Sequence, residues 1–190
     1  MKVLAFHGTD YDVAQKIDHE GFISKPSLEH WLGNAIYFYI DELLAKWWTT
    51  RPTNKFGTTI KKTALIKAYI SVEDDRVLDL RKLDDYNTFI KWENEYEKQT
   101  IEMSNKMHTG CPIDSKEYRC ALFDSIFRNK GIDVIVGCFH KPNQPYFTTD
   151  KIHDILRRLE LTYTEIQVAV KAEKQKEIIT IVDIYKQNSV

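Results

Sequence analysis

The segment of residues 84–107 constrains the fold more than any other part of the sequence, because it contains neither glycine nor proline. Its large apolar side chains, Phe89, Trp92, Tyr96 and Met103, follow one another at spacings of three, four and seven residues. These spacings place all four on one face of an α-helix. We therefore predict one long helix through the middle of the chain.

The segments around this helix predict an α+β domain. Strands are predicted at residues 3–6, within 32–39, and at 63–72, 77–80, 132–139, 165–170 and 178–185, the last two as a pair. Other helices are predicted after a capping box of Thr9 and Asp12 and ending at Gly21, after Asp41, and at residues 115–129 and 150–159. Strands come first and last with helices between them, an order typical of α+β folds. We expect a single domain over residues 1–190, with residues 83–130 as a helical insertion.

The charge balance excludes one way of binding nucleic acid. The chain has 27 Lys and Arg residues against 28 Asp and Glu residues, a net charge of -1. Proteins that hold nucleic acid through bulk charge are strongly basic. Residues 51–67 form a basic stretch that can bind phosphate locally, although a solvated loop and strand edge is the simpler explanation.

The composition also argues against several other classes. The three cysteines have no CxxC spacing and the histidines no HxxxH or HxH spacing, so neither a disulfide scaffold nor a metal site is predicted. The N-terminus lacks the apolar core of a signal peptide, and no run of about 18 apolar residues occurs. We expect a cytoplasmic protein without membrane contact.

The first candidate site is His7-Gly8-Thr9, at the predicted end of a strand. A glycine there allows a ligand to approach the backbone, and its neighbours offer hydrogen-bonding side chains. Taken alone, three such residues are better explained by a surface turn.

The second candidate site is the segment of residues 32–38, whose Tyr37 and Phe38 point to opposite faces of a strand. One ring can therefore face a cleft and stack on a flat heteroaromatic ligand. Ordinary strand packing explains the pair equally well.

The third candidate site is Glu165 with Gln167, which share one face of a late strand. A carboxylate in a cleft can bind ribose hydroxyls and offset positive charge in a transition state. An exposed, salt-bridging glutamate is the commoner case.

Together these segments resemble a known family. The pattern FHGT-x4-A-x2-I-x3-GF, then WLGxxIYF, then Ala-x-Trp and a late glutamate on a strand resembles the ADP-ribosyltransferase superfamily. It is closest to the His–Tyr–Glu branch of poly-ADP-ribose polymerases and diphtheria toxin, and to small bacterial toxin or phage-defence proteins of this type. The resemblance covers residues 5–48 well and residues 160–185 only suggestively.

The resemblance implies a split antiparallel sheet, with NAD as co-substrate. By this resemblance, His7 holds the ribose hydroxyls of NAD, Gly8 meets the nicotinamide amide and Thr9 adds a polar contact. Tyr37 would stack on the nicotinamide ring, and Trp47 would close the other side, with Trp48 as its competitor.

For the catalytic position the resemblance leaves two residues open. Glu165 is favoured, because a carboxylate best stabilises an oxocarbenium-like ribosyl cation. The register can instead place Gln167 there. The polymerases usually carry a serine near Ala45, which this chain lacks.

The resemblance thus implies a mono-ADP-ribosyltransferase with a macromolecular acceptor, protein or nucleic acid. Such an effector can have an antitoxin partner. Residues 141–146 are a candidate acceptor-specificity loop. The alternatives are an RNA 2′-phosphotransferase of the same fold and a non-catalytic module that binds NAD or ADP-ribose.

Overall fold

The strands form one mixed sheet, and helices cover it. The computed structural model describes residues 1–50, 62–107, 114–140 and 164–187. The strands are β1 (Lys2–Asp10), β2 (Ala35–Tyr39), β3 (Thr63–Ser71), β4 (Val77–Asp79), β5 (Val134–His140), β6 (Thr164–Lys171) and β7 (Ile179–Gln187). The helices are α1 (Tyr11–Glu20), α2 (Glu42–Thr50), α3 (Leu83–Met107), α4 (Ser115–Asn129) and the single turn α5 (Gln175–Ile178). The predicted α+β class is confirmed.

The sheet has the strand order β4-β5-β6-β2-β1-β3-β7. β4 and β5 are parallel, whereas the other neighbouring strands described are antiparallel. Parallel neighbours need a long crossover connection, and α3 and α4 supply it between β4 and β5. The sheet is therefore mixed, because the antiparallel arrangement of the other strands does not extend to this edge.

Among the neighbouring strands described, β1 and β2 share the fewest paired residues. In the described residues these strands are in register only at Phe6 and Tyr39, whereas β1 pairs with β3 along its whole length. No other described residues of the two strands are paired. The sheet thus divides into the half β4-β5-β6-β2 and the half β1-β3-β7, with an opening between them.

Helices cover both faces of this sheet, because successive side chains of a strand point to opposite sides. On one face Ala14 and Ile17 of α1 and Ile178 of α5 pack on strand residues such as Val168. On the other face α4 packs on the half that contains β5 and β6, and α2 packs on β1.

Most helix boundaries were predicted from sequence. α4 matches its prediction, and α3 begins one residue earlier than expected. The side chain of Asp41 accepts a hydrogen bond from the Leu43 backbone N–H at 2.8 Å, as a helix cap does. Gly21 ends α1 with φ 87°, and its N–H bonds to the carbonyl of Ile17.

Two element predictions were wrong. β1 continues past the predicted N-cap Thr9 to Asp10, because its ladder with β3 extends to Thr63. The last two strands do not pair with each other, since β6 lies between β5 and β2 and β7 lies beside β3. Residues 172–178 carry the chain from one half of the sheet to the other. The predicted helix at 150–159 lies outside the described residues.

Candidate functional site

A cleft of about 530 Å³ opens where the two halves of the sheet diverge. Predicted site residues from all three motifs line it, namely His7, Gly8, Thr9, Tyr37 and Gln167. The split in the sheet therefore brings together segments that are far apart in the sequence.

His7 closes the inner end of the split. Its Nδ1 lies 2.7 Å from the backbone oxygen of Tyr37, and because a carbonyl can only accept, Nδ1 donates. The side chain thus supplies a hydrogen bond where the backbones of β1 and β2 have separated. The ring packs on Phe22 at 5.3 Å and Phe38 at 5.7 Å between centroids.

The surroundings of His7 also favour its neutral form. Burial lowers the pKa of His7, and the hydrogen bond to the Tyr37 carbonyl opposes this effect only in part. The neutral ring with its proton on Nδ1 leaves Nε2 as an acceptor. A neutral acceptor suits a ligand hydroxyl better than a ligand phosphate.

Tyr37 is held rigidly through its hydroxyl. The hydroxyl accepts from the Leu32 N–H at 2.8 Å and donates to the Gly33 carbonyl at 2.7 Å. Burial raises the pKa of Tyr37, against the opposing effect of the Leu32 N–H. The hydroxyl is thus occupied by the chain's own backbone, and the ring is the part of Tyr37 that it can offer to a ligand.

The WLGN segment is anchored by α4. Asp124 accepts from the Asn34 backbone N–H at 2.6 Å and from its side-chain amide at 2.7 Å. Gly33 has φ 79°, and a Cβ there would lie 2.7 Å from an Asp124 oxygen. Asn34 Oδ1 in turn accepts from the Ser27 N–H at 2.7 Å. This network holds the loop that carries His30 and Trp31, both of which line the cleft.

Gly8 is required by helix packing. A Cβ at this position would overlap the backbone carbonyl of Ala45 and lie 2.7 Å from the Thr49 methyl group. α2 therefore approaches β1 as closely as it does because residue 8 has no side chain. The close packing of α2 thus gives a second reason for the glycine, in addition to the ligand approach that the sequence suggested.

Glu165 and Gln167 differ in their access to the cleft. Gln167 stands between Gly137 and Tyr39 in the sheet and lines the cleft. Glu165 is completely buried and is not among the described lining residues. The Gln167 amide nitrogen donates to Glu165 Oε1, so the amide oxygen of Gln167 is turned away from this carboxylate. The two predicted candidates are thus one hydrogen-bonded pair.

Of the two tryptophans predicted for the second wall, Trp48 lines the cleft, whereas Trp47 is not among the described lining residues. The rings of Trp48 and Tyr39 are 6.4 Å apart. The aromatic side chains of the cleft thus come from β2, from α2 and from the loop before β2.

Sequence reasoning missed three charged residues of the cleft: Asp10, Lys25 and Glu29. Among the described lining residues, Lys25 is the only lysine or arginine. Asp10 had a usable signal, since it directly follows the His7-Gly8-Thr9 motif. Within the predicted basic stretch, residues 51–61 lie outside the described residues, Lys62 is exposed and Lys67 is half-buried. The candidate acceptor-specificity loop, residues 141–146, also lies outside the described residues.

Two searches of the described residues found nothing. In residues 1–50, 62–107, 114–140 and 164–187, no His, Cys, Asp and Glu side chains group as a metal site requires. Within that same part of the chain, no helix is long and apolar enough to cross a membrane.

The fold and the cleft define an α+β protein with a ligand-sized opening at a split in its sheet. No family model matches the chain. A protein of Methanocaldococcus jannaschii, "Uncharacterized protein MJ0359", is 33% identical over 189 residues, which cover 90% of this chain and 83% of the relative. The chain belongs to the same family as this archaeal protein.

Proposed function

We propose that the protein is an NAD-dependent mono-ADP-ribosyltransferase that transfers ADP-ribose to a macromolecular acceptor. One observation carries the proposal. The cleft at the sheet split collects His7, Tyr37 and Gln167, with Glu165 directly behind, from the three motifs that resemble the ADP-ribosyltransferase superfamily.

The proposed roles follow from the contacts of each residue. His7 Nε2 accepts a hydrogen bond from a ribose hydroxyl, since Nδ1 is committed to the Tyr37 carbonyl. The fixed ring of Tyr37 and the ring of Trp48 form the walls for nicotinamide. In this assignment Trp48 takes the role that the sequence gave first to Trp47.

The pair of Glu165 and Gln167 is assigned to the reacting ribose. The Gln167 amide oxygen faces away from Glu165 and accepts from a ribose hydroxyl in the cleft. Glu165 holds the amide in that orientation and supplies a negative charge near the cleft. Such a charge stabilises a cationic ribose most when water is excluded, and Glu165 is completely buried.

The proposed reaction breaks the bond between nicotinamide and C1′ of its ribose. The bonding electron pair leaves with nicotinamide, and the oxocarbenium-like ribose is stabilised by the Glu165 charge. A nucleophilic atom of the acceptor then bonds to C1′ and loses its proton. NAD and acceptor are thereby converted to nicotinamide, a proton and ADP-ribosylated acceptor.

The proposed acceptor is a protein or a nucleic acid, and a toxin or phage-defence role with an antitoxin partner is part of the proposal. An RNA 2′-phosphotransferase is less well supported, because it needs several cations for the RNA phosphates. Lys25 is the only lysine or arginine among the described residues that line the cleft.

The burial of Glu165 supports a second candidate, a non-catalytic module that binds NAD or ADP-ribose. In such a module the carboxylate would only orient Gln167. The two candidates share the ligand and differ in turnover, so a measurement of turnover separates them.

The test is to incubate the purified protein with NAD, alone and with RNA, DNA or cell lysate, and to measure free nicotinamide. Release that depends on the acceptor supports the transferase. Release without any acceptor indicates an NAD glycohydrolase and contradicts transfer. NAD binding without release under all conditions supports the binding module.

A further inference from the structure

Asp10, the last residue of β1, lines the cleft, and its side chain does not cap the helix that follows it. It occupies the N-cap position of α1, where aspartate usually accepts a hydrogen bond from the first turn of the helix. Here its side chain makes no such bond. The following backbone N–H, of Tyr11, bonds instead to the carbonyl of Lys62.

The Oδ1 atom of Asp10 is buried and has no hydrogen-bond partner. A buried acceptor without a partner destabilises the folded protein, and such atoms in folded proteins call for an explanation. Asp10 lines the cleft with His7 and Thr9. A turn of the side chain that brings Oδ1 into the cleft, where a ligand can donate a hydrogen bond to it, would remove this cost.

The position of Asp10 indicates which part of a dinucleotide it meets. Asp10 is three residues beyond His7 on an extended strand, about 10 Å away at roughly 3.3 Å per residue. If the nicotinamide end lies at Tyr37, whose carbonyl His7 contacts, the other nucleoside of the dinucleotide reaches Asp10.

We propose that Asp10 binds the 2′- and 3′-hydroxyls of the adenosine ribose and makes the cleft selective for NAD over NADP. A carboxylate has two acceptor oxygens that match the two donors of a ribose diol. The same carboxylate repels a 2′-phosphate, as acidic residues at the adenosine ribose do in unrelated dinucleotide-binding folds. The inference rests on the proposed function, because it takes NAD as the ligand.

The test is to measure the binding of NAD and of NADP to the wild-type protein and to Asp10→Asn by calorimetry. We expect the wild type to bind NAD about tenfold or more tightly than NADP, which is the scale of a hydrogen bond to a charged group. Asp10→Asn should weaken NAD binding by a similar factor while NADP binding stays the same or improves. Asp12→Asn is the matched control, because Asp12 is exposed on α1, and it should change neither affinity.

The outcomes separate this inference from the proposed function. Equal affinity of the wild type for NAD and NADP would overturn the role of Asp10 and leave the proposed function standing, and this comparison needs no variant to fold. Unchanged NAD affinity in a folded Asp10→Asn protein would do the same, even if modification of an acceptor were reduced. If the wild type binds neither dinucleotide, the proposed function fails and this inference fails with it.

Discussion

The ring of His7 donates a hydrogen bond from Nδ1 to the backbone oxygen of Tyr37 at 2.7 Å, across the line where β1 and β2 separate. One side chain thus connects the two halves of the sheet at the inner end of the cleft. The same bond fixes the proton on Nδ1 and joins the first predicted motif to the second.

His7 should make the folding stability depend on pH. Its pKa is lowered by burial in the folded protein, so the unfolded chain binds the proton more readily, with an ordinary pKa of about 6.5. The stability that neutral His7 contributes is therefore complete above about pH 6.5 and is lost as the pH falls toward the lower folded pKa.

The measurement is urea unfolding of the wild type and of His7→Asn at pH 8 and at pH 5.5. Asparagine can keep the hydrogen bond to Tyr37 but does not titrate, so the variant should lose less stability on acidification. The exposed His19, changed to Asn, is the control and should behave as the wild type. An equal pH dependence of wild type and His7→Asn would contradict the prediction.

The two adjacent tryptophans of α2 should differ in their effect on ligand binding. Trp48→Leu removes a cleft wall and should weaken NAD binding about tenfold, since stacking of an aromatic side chain on a base contributes roughly 1–3 kcal/mol. Trp47→Leu should change the affinity for NAD by no more than about twofold. This is well below a tenfold change, which corresponds to ~1.4 kcal/mol of binding free energy. Calorimetry with NAD measures both, and a larger loss for Trp47→Leu would restore the original sequence assignment.

Substitution of Glu165 should affect turnover more than binding. Glu165→Gln removes the negative charge behind Gln167 and should lower the rate of nicotinamide release about 10²–10³-fold, the usual effect of losing one preorganised electrostatic contact. The dissociation constant of NAD should change little. Exposed Glu173, changed to Gln, is the control. Equal losses of rate and affinity, or no loss of either, would count against the proposed role.

The anchor between Asn34 and Asp124 should support the loop that carries His30 and Trp31. Asp124→Asn replaces one of the two accepting oxygens and should cost about 1–3 kcal/mol of unfolding free energy. Asn94→Ala, which removes an exposed bond to the Ile90 carbonyl within α3, should cost clearly less. Urea unfolding compares them, and similar losses would show that the Asn34 anchor is energetically unimportant.

Local patterns were predictable from the sequence, and long-range contacts were not. The glycine cap of α1 and the bounds of α4 depend on a few neighbouring residues. The bond between Asn34 and Asp124 joins residues 90 positions apart, and periodicity carries no information about such a pair. The separation of β6 from β7 likewise depends on how residues 172–178 pack on the sheet.

In the candidate site, too, local patterns were predictable from the sequence and tertiary contacts were not. The residues His7, Gly8, Thr9, Tyr37 and Gln167 were predicted from motifs and line one cleft. The choice between Trp47 and Trp48 depends on the rotation of α2 about its axis, which is set by the close contact of Ala45 with Gly8. The burial of Glu165 depends on tertiary packing that a strand pattern does not specify.

The most direct test of the central claim follows both ends of NAD in one reaction. NAD labelled in the adenine and NAD labelled in the nicotinamide are incubated separately with the protein and a lysate. The proposed transferase should place the adenine label on macromolecules and release the nicotinamide label as free nicotinamide in equal amounts, and both signals should fall strongly in Glu165→Gln. Nicotinamide release without adenine label on any macromolecule, or no release at all, would contradict ADP-ribosyl transfer.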